Sequence, residues 1–378
     1  MKYWAGAAVA FLGLWPLNAA AAPAWTQWQS VPGVFDLGGP RSDGTLIVAG
    51  SAALYTATAA GDLQPFARGP GGYRDDPGAE AYLAVSPGQR VAASGCDFTP
   101  DDIFILRLHT PVGLTRVDRS GESSASFTNL DVPSLNGIAF DTAGAFDHRL
   151  LVTGTVSGKT ELLAVDCRGA AQVVTKTAPV VEGGMAVAPE TFGQFAGTLI
   201  APDELSGVIW AITPVGTATQ VVNSGLPKGG DIGVEGVAFV PSGFTARGGY
   251  VYYADRKTAG NPHPGTDSVM RLSSADLVAA GVQDGDLLAA TEGGASMIAV
   301  RCDATCHVIP VVTTPTTAHG EGHIVFTMNP APSPSTSPSI SPSSVASGRQ
   351  LSPAPFIATA AAVLFAIAAI LFAVSRRR

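Results

Sequence analysis

Apolar residues in this chain come in short runs of four to six, cut by glycine and proline, rather than at the three-to-four-residue spacing of an amphipathic helix. Five segments share a pattern in which an acid or asparagine, usually with a glycine, precedes such a run. They are AEAYLAVSP (79–87), LNGIAFD (135–141), VEGGMAVAP (181–189), VEGVAFVP (234–241) and GEGHIVFTM (320–328). A second apolar strand comes downstream at 149–154, 197–204 and 250–256, with similar runs at 45–50 and 286–292. A third lies at 161–166, 208–213, 268–272 and 296–302, and a fourth at 171–175, 219–223 and 307–312. Short strands in repeating groups of four predict an all-β fold, a β-propeller.

The leading acids or asparagine, at 80, 136, 182, 235 and 321, are spaced 56, 46, 53 and 86 residues apart. The first three intervals each fit one blade and the last is too long for one. A body spanning 23–328 predicts six blades of about 51 residues, with seven as the alternative. Ring closure is expected to pair the strand at 321–328 with N-terminal strands near 33–68, which removes open edges. Ser273 to Gly281 interrupts the strand pattern with a serine cap and a terminal glycine, and predicts a short helix.

Charge changes the picture more than composition does. The net charge is −8, but Lys2, Arg349 and Arg376–Arg378 lie outside 23–328, so the body carries 17 bases against 30 acids, a balance of −13. Such a surface repels nucleic acid and anionic membranes and favours cations or neutral ligands.

The ends differ from the body. Residues 1–22 have a basic start, an apolar stretch from Ala5 to Leu17 and a small-x-small site at Ala19 and Ala21, which reads as a signal peptide, with an N-terminal anchor as the alternative. Phe356–Val374 is an uncharged run of 19 residues followed by three arginines, the pattern of a transmembrane helix with a cytoplasmic basic tail at 375–378. The Ser/Pro-rich segment 329–355 between body and membrane reads as an extended stalk. No LPxTG pentapeptide is present, and a terminal arginine triplet does not fit a lipid-anchor signal. The expected location is therefore extracytoplasmic, with a type I membrane anchor.

Four cysteines in an exported chain predict two disulfides. Cys302 and Cys306 flank a tight turn, which leaves Cys96 for Cys167. No spacing fits a zinc site.

The first strands of propeller blades line a central channel, so Glu80, Asn136, Glu182, Glu235 and Glu321 are expected to form a ring. Two carboxylates about 6 Å apart at an effective dielectric of about 20 repel by roughly 3 kcal/mol. Protons or a divalent cation must offset that, and an all-oxygen set suits calcium, with Asp203, Asp255 and Glu292 as further ligands. The other reading of these residues is that they cap turns. His319 and His323 flank Glu321, and strand alternation places Glu321 and His323 on one face, so these histidines are the candidate catalytic bases, with buried or solvent-facing structural roles as the alternative.

The segments Asn136–Asp141 and Glu235–Phe239 resemble the first strands of the gluconolactonase, regucalcin and strictosidine-synthase-like six-bladed propellers. That resemblance implies a divalent cation held in the channel and, by extension, lactone or ester hydrolysis. Glutamate stands where those enzymes commonly have asparagine. The segments are also similar to NHL-type propellers, which mostly bind partners. No HExxH or GxSxG occurs, no Asn-x-Ser/Thr site is present, and Gly154–Thr160 joins two strands and so does not build a phosphate loop. Three functions follow in order. The first is a surface propeller that binds a divalent cation and a small-molecule or protein ligand at its channel face. The second is a calcium-dependent lactonase or esterase, and the third a structural or adhesive surface domain.

Overall fold

Six four-stranded antiparallel sheets account for nearly every strand in the computed structural model, whose described residues are 22–331 apart from 52, 68–72 and 74–79. The expected signal peptide, most of the stalk, the transmembrane run and the basic tail lie outside the described residues. Among those described, no helix is long and apolar enough to cross a membrane.

The innermost strands are Asp36–Gly38, Leu83–Val85, Gly137–Phe140, Ala186–Val187, Val234–Phe239 and Gly320–Met328, one for each of blades one to six. Five of the six fall within the segments read from the sequence. Second strands such as Leu46–Gly50, Ile103–Arg107 and Leu287–Thr291 are buried along their whole length. Blades stack face to face around the ring, so both faces of these strands are covered and their apolar runs are continuous rather than alternating. Outermost strands such as Thr26–Ser30 and Ala171–Ala178 are mostly exposed. The hydrophobic core is accordingly divided into six clusters, one between each pair of neighbouring blades.

Blades five and six are interlaced. After Val234–Phe239 the chain leaves blade five, and Gly249–Asp255 and Ser268–Ser273 become the second and third strands of blade six. It then returns with Leu287–Thr291, Met297–Cys302 and Cys306–Val312 to complete blade five, before Gly320–Met328 supplies the inner strand of blade six. The 86-residue interval therefore contains parts of two blades. Residues 250–256 and 268–272 belong to the neighbour of the blade that the motif at 234–241 starts. The turn out of blade six carries the expected helix, Ser274–Ala279, closed at its start by a reciprocal Ser273–Asp276 capping box.

Ring closure also differs from expectation. The N-terminal strand that closes blade six is Thr26–Ser30, and it pairs with Ser268–Ser273 rather than with 321–328. Residues 36–66 form blade one instead. Trp28 packs against Tyr252 with tilted rings 4.6 Å apart, and Trp25 donates to the Ala295 carbonyl at 2.8 Å, so the N-terminal segment is clamped to blades six and five together. Both disulfides are present as paired in the sequence, Cys96–Cys167 and Cys302–Cys306.

Candidate functional site: an acidic channel mouth

The glycine that follows the acid in the repeated motif closes the channel. At this level the inner strands of neighbouring blades bond to one another directly: the Gly183 amide donates to Asn136 at 2.9 Å, the Gly184 amide to Glu235 at 3.0 Å, and the Val237 amide to Gly184 at 2.9 Å. A Cβ at Gly184 or at Gly236 would lie 2.6 Å from the Gly322 carbonyl oxygen, so no side chain fits. The acids on the entry side of this waist thus line a mouth, and the residues beyond it line a separate cavity on the exit side.

Within the mouth the carboxylates converge. The phenol of Tyr82, fully buried, lies 2.8 Å from Glu235 Oε1, 2.5 Å from Glu321 Oε1 and 3.5 Å from Glu80 Oε2. A phenol has one proton to donate, so this arrangement of acceptors requires a further proton or a cation. Arg256 answers part of the charge, at 2.6 Å from Glu80 and 3.3 Å from Glu321. His319 Nε2 lies 2.7 Å from Glu292 Oε1 and 4.0 Å from Glu321 Oε2. One ligand atom each from Glu292, His319 and Glu321 lies within 4.8 Å of the others, and all three residues are buried. Glu204 reaches the same place, hydrogen-bonded to Glu292 and accepting from the Ile232 and Gly233 amides.

The electrostatics follow from burial and like charge. Burial, then Glu204, Glu80 and Asp231, raise Glu182 to about 7. Burial and the shared hydrogen bond with Glu292 raise Glu204 to about 8, against the pull of its two amide donors. Glu292 is raised to about 7, chiefly by burial, with Glu204's hydrogen bond working the other way, which places the shared proton on Glu204. Burial and their charged neighbours push Glu235 and Glu321 well above the ordinary carboxylate range. Burial and then nearby Arg256 lower His319 and keep it neutral. Two buried polar atoms here have no hydrogen-bond partner, His319 Nδ1 and the Tyr253 hydroxyl; burial, then Glu235, Glu321 and Glu292, push that phenol well above its ordinary pKa.

Of the residues singled out in the sequence, Glu80, Glu182, Glu235, Glu321, Glu292 and His319 therefore share the mouth. Asn136 accepts from Thr155 Oγ1 at 3.0 Å. Asp203 turns into a local bend, receiving the Ser206 amide, and the next residue, Glu204, enters the mouth instead. Asp255 receives the His319 amide at 2.8 Å and supports the site from behind. His323 does not join Glu321. Gly322 between them has φ +67°, which breaks strand alternation, and His323 turns to Asp36 Oδ1 at 2.9 Å and the Ile138 carbonyl at 2.8 Å. Both of those partners are acceptors, so the ring is a doubly protonated stitch between blades one, three and six, with a raised pKa: burial opposes the charge but Asp36 outweighs it. Tyr82, Glu204, Tyr253 and Arg256 were not read from the sequence. The acid at the end of the second strand was the nearest signal for Glu204, and nothing in the local pattern distinguishes Tyr82 or Tyr253 from core aromatics.

No protein-family profile and no curated protein sequence matches the chain. Among solved structures, a nidogen/laminin complex superposes with a TM-score of 0.46 at 9% identity, covering 78% of this chain and 85% of the other. Virginiamycin B lyase from Staphylococcus aureus gives 0.42 at 12% identity over 81% and 96% of the two chains. A gluconolactonase-family protein gives 0.33 at 13% identity over 70% and 94%. All are similar in chain path to the six-bladed propeller described above.

Proposed function

We propose that this chain is a surface-displayed propeller whose acidic mouth holds a divalent cation, calcium, and through it a small-molecule or protein ligand. The observation that carries the reading is the convergence of buried carboxylates on Glu292, His319 and Glu321, with one phenol and one guanidinium among them, so that extra protons or a cation must balance the rest. Calcium takes six to eight oxygens in loose geometry, which suits a carboxylate-dominated mouth. The orphaned Tyr253 hydroxyl and His319 Nδ1 supply unfilled polar capacity nearby.

Thermal unfolding of the purified chain in EDTA and in calcium tests the cation, with a calcium-dependent rise in Tm expected and an identical Tm refuting it. Display at the cell surface, motivated by the apolar run 356–374 and its arginines, is tested by adding protease to intact cells. A fragment near the size of the body should be released, and full protection of the chain overturns this part.

A second reading, lactone or ester hydrolysis, is favoured by one observation. His319 is neutral and stands inside the carboxylate cluster, the place a general base would occupy. A lactone panel assayed with calcium decides it, since turnover that disappears in His319→Gln is required.

A further inference from the structure

Beyond the glycine waist, on the exit side of the channel, lies a cavity of about 190 Å³ whose chemistry is the reverse of the mouth's. Its lining includes Leu83, Ile138, Phe140, Met185, Val237 and Ile324. Ala139 and Ala238 line it as well, each buried with a small exposed remnant and packed into the cores between blades three and four and between blades five and six. No carboxylate, lysine or arginine is among the lining residues. The polar side chains that reach it are Thr142 and His323, and both ring nitrogens of His323 are already committed to Asp36 and Ile138.

We propose that this cavity is a second binding site, for a compact, neutral, largely apolar ligand of the size of one aromatic ring. Size and chemistry both point there. An apolar cavity of about 150 Å³ accommodates benzene, and burying an ionised group without a partner costs far more than burying a neutral one. The imidazolium of His323 attracts no anion, because Asp36 neutralises it at 2.9 Å. The direct contacts among the inner strands at the waist separate this ligand from the mouth, so the site stands whether or not the mouth binds a cation.

Toluene, benzoate and benzylammonium titrated into the purified chain by calorimetry test the proposal, each against two cavity-filling variants, Ala139→Phe and Ala238→Leu. Toluene is expected to bind at one equivalent, with both charged analogues at least tenfold weaker. Either folded variant should weaken toluene at least tenfold while leaving the calcium response of the mouth unchanged. Ala238→Leu is read alone if Ala139→Phe does not fold. Absence of saturable toluene binding, equal affinity for a charged analogue, or toluene binding that survives the folded variants overturns the proposal. Loss of the calcium response alone bears on the mouth and not on this cavity.

Discussion

At the scale of single residues, the mouth is governed by proton count. Glu321 and Glu235 lean on the same Tyr82 hydroxyl, so converting one to glutamine acts in two opposed ways. It spares the empty mouth the cost of keeping that buried carboxyl protonated, and it takes a charged ligand from the loaded one. Calcium at one hundred times its Kd stabilises by about 2.7 kcal/mol. Glu321→Gln is expected to abolish that calcium-dependent rise in Tm while its calcium-free Tm holds or increases, and Glu235→Gln to act in the same direction. An equal fall with and without calcium marks the residues as structural. The pH dependence has a definite sign. Glu182, Glu204 and Glu292 hold protons in the folded protein up to about 7, 8 and 7, against 4.5 for an ordinary glutamate. Their contribution is complete below pH 4.5 and is lost as pH rises through 7 to 8, because the unfolded chain has already released those protons. Tm of the calcium-free chain should decline from pH 5 to 8, and saturating calcium should flatten the decline. A flat calcium-free profile refutes the shared-proton arrangement.

Individual elements are held by two kinds of constraint. The first is the close approach of inner strands at the waist. A methyl at Gly184 meets the Gly322 carbonyl oxygen, whereas one at the loop residue Gly260 meets nothing. Gly184→Ala should therefore cost about 1–3 kcal/mol, the range for overpacking. Gly260→Ala bears only the cost of its positive φ, about 1–2 kcal/mol. Measured by denaturant unfolding, a Gly184→Ala variant as stable as the parent contradicts the waist. The second constraint is covalent. Cys96–Cys167 spans 71 residues and ties the Arg90–Asp97 hairpin of blade two to blade three, where Ser94 also donates to Asp166 at 2.5 Å. Cys302–Cys306 spans four residues within one hairpin. By loop-closure entropy the long bridge is worth about 4 kcal/mol and the short one about 2. Paired Cys→Ser replacements should reproduce that order in Tm, and the reverse order overturns it.

For the whole molecule, the ring depends on strands far apart in sequence. Thr26–Ser30 covers the edge of Ser268–Ser273, and the chain crosses between blades five and six before either is complete. A chain lacking residues 1–30 exposes that edge and loses both tryptophan contacts. It should be destabilised by at least about 3–5 kcal/mol, the cost of truncating one packed aromatic. It should also self-associate through the open edge. Calorimetry and light scattering check both, and an unchanged monomeric chain contradicts the closure.

The sequence by itself determined what depends on period and on local chemistry. Apolar runs identified most strands, because the stacking of blades buries both faces of the second and third strands whatever their partners are. The recurring acid or asparagine ahead of an apolar run located five of the six inner strands and most of the mouth, and in three of them a glycine follows the acid where the channel narrows. The helix at Ser274–Ala279 was legible from its cap, and the disulfides from the spacing of four cysteines. The sixth inner strand, Asp36–Gly38, was missed because its acid sits within the apolar run instead of ahead of it. Partner choice was decided by tertiary structure alone. Gly249–Asp255 satisfies its own pattern equally well in blade five or six, and only three-dimensional pairing places it beside Gly320–Met328. The same holds for side-chain direction. Strand alternation put His323 with Glu321, but the left-handed Gly322, where a Cβ would meet the Asp36 carboxylate at 2.4 Å, turned the histidine to the other end of the channel. Period fixes which strands are buried, while the packing of distant strands fixes what each buried polar group meets.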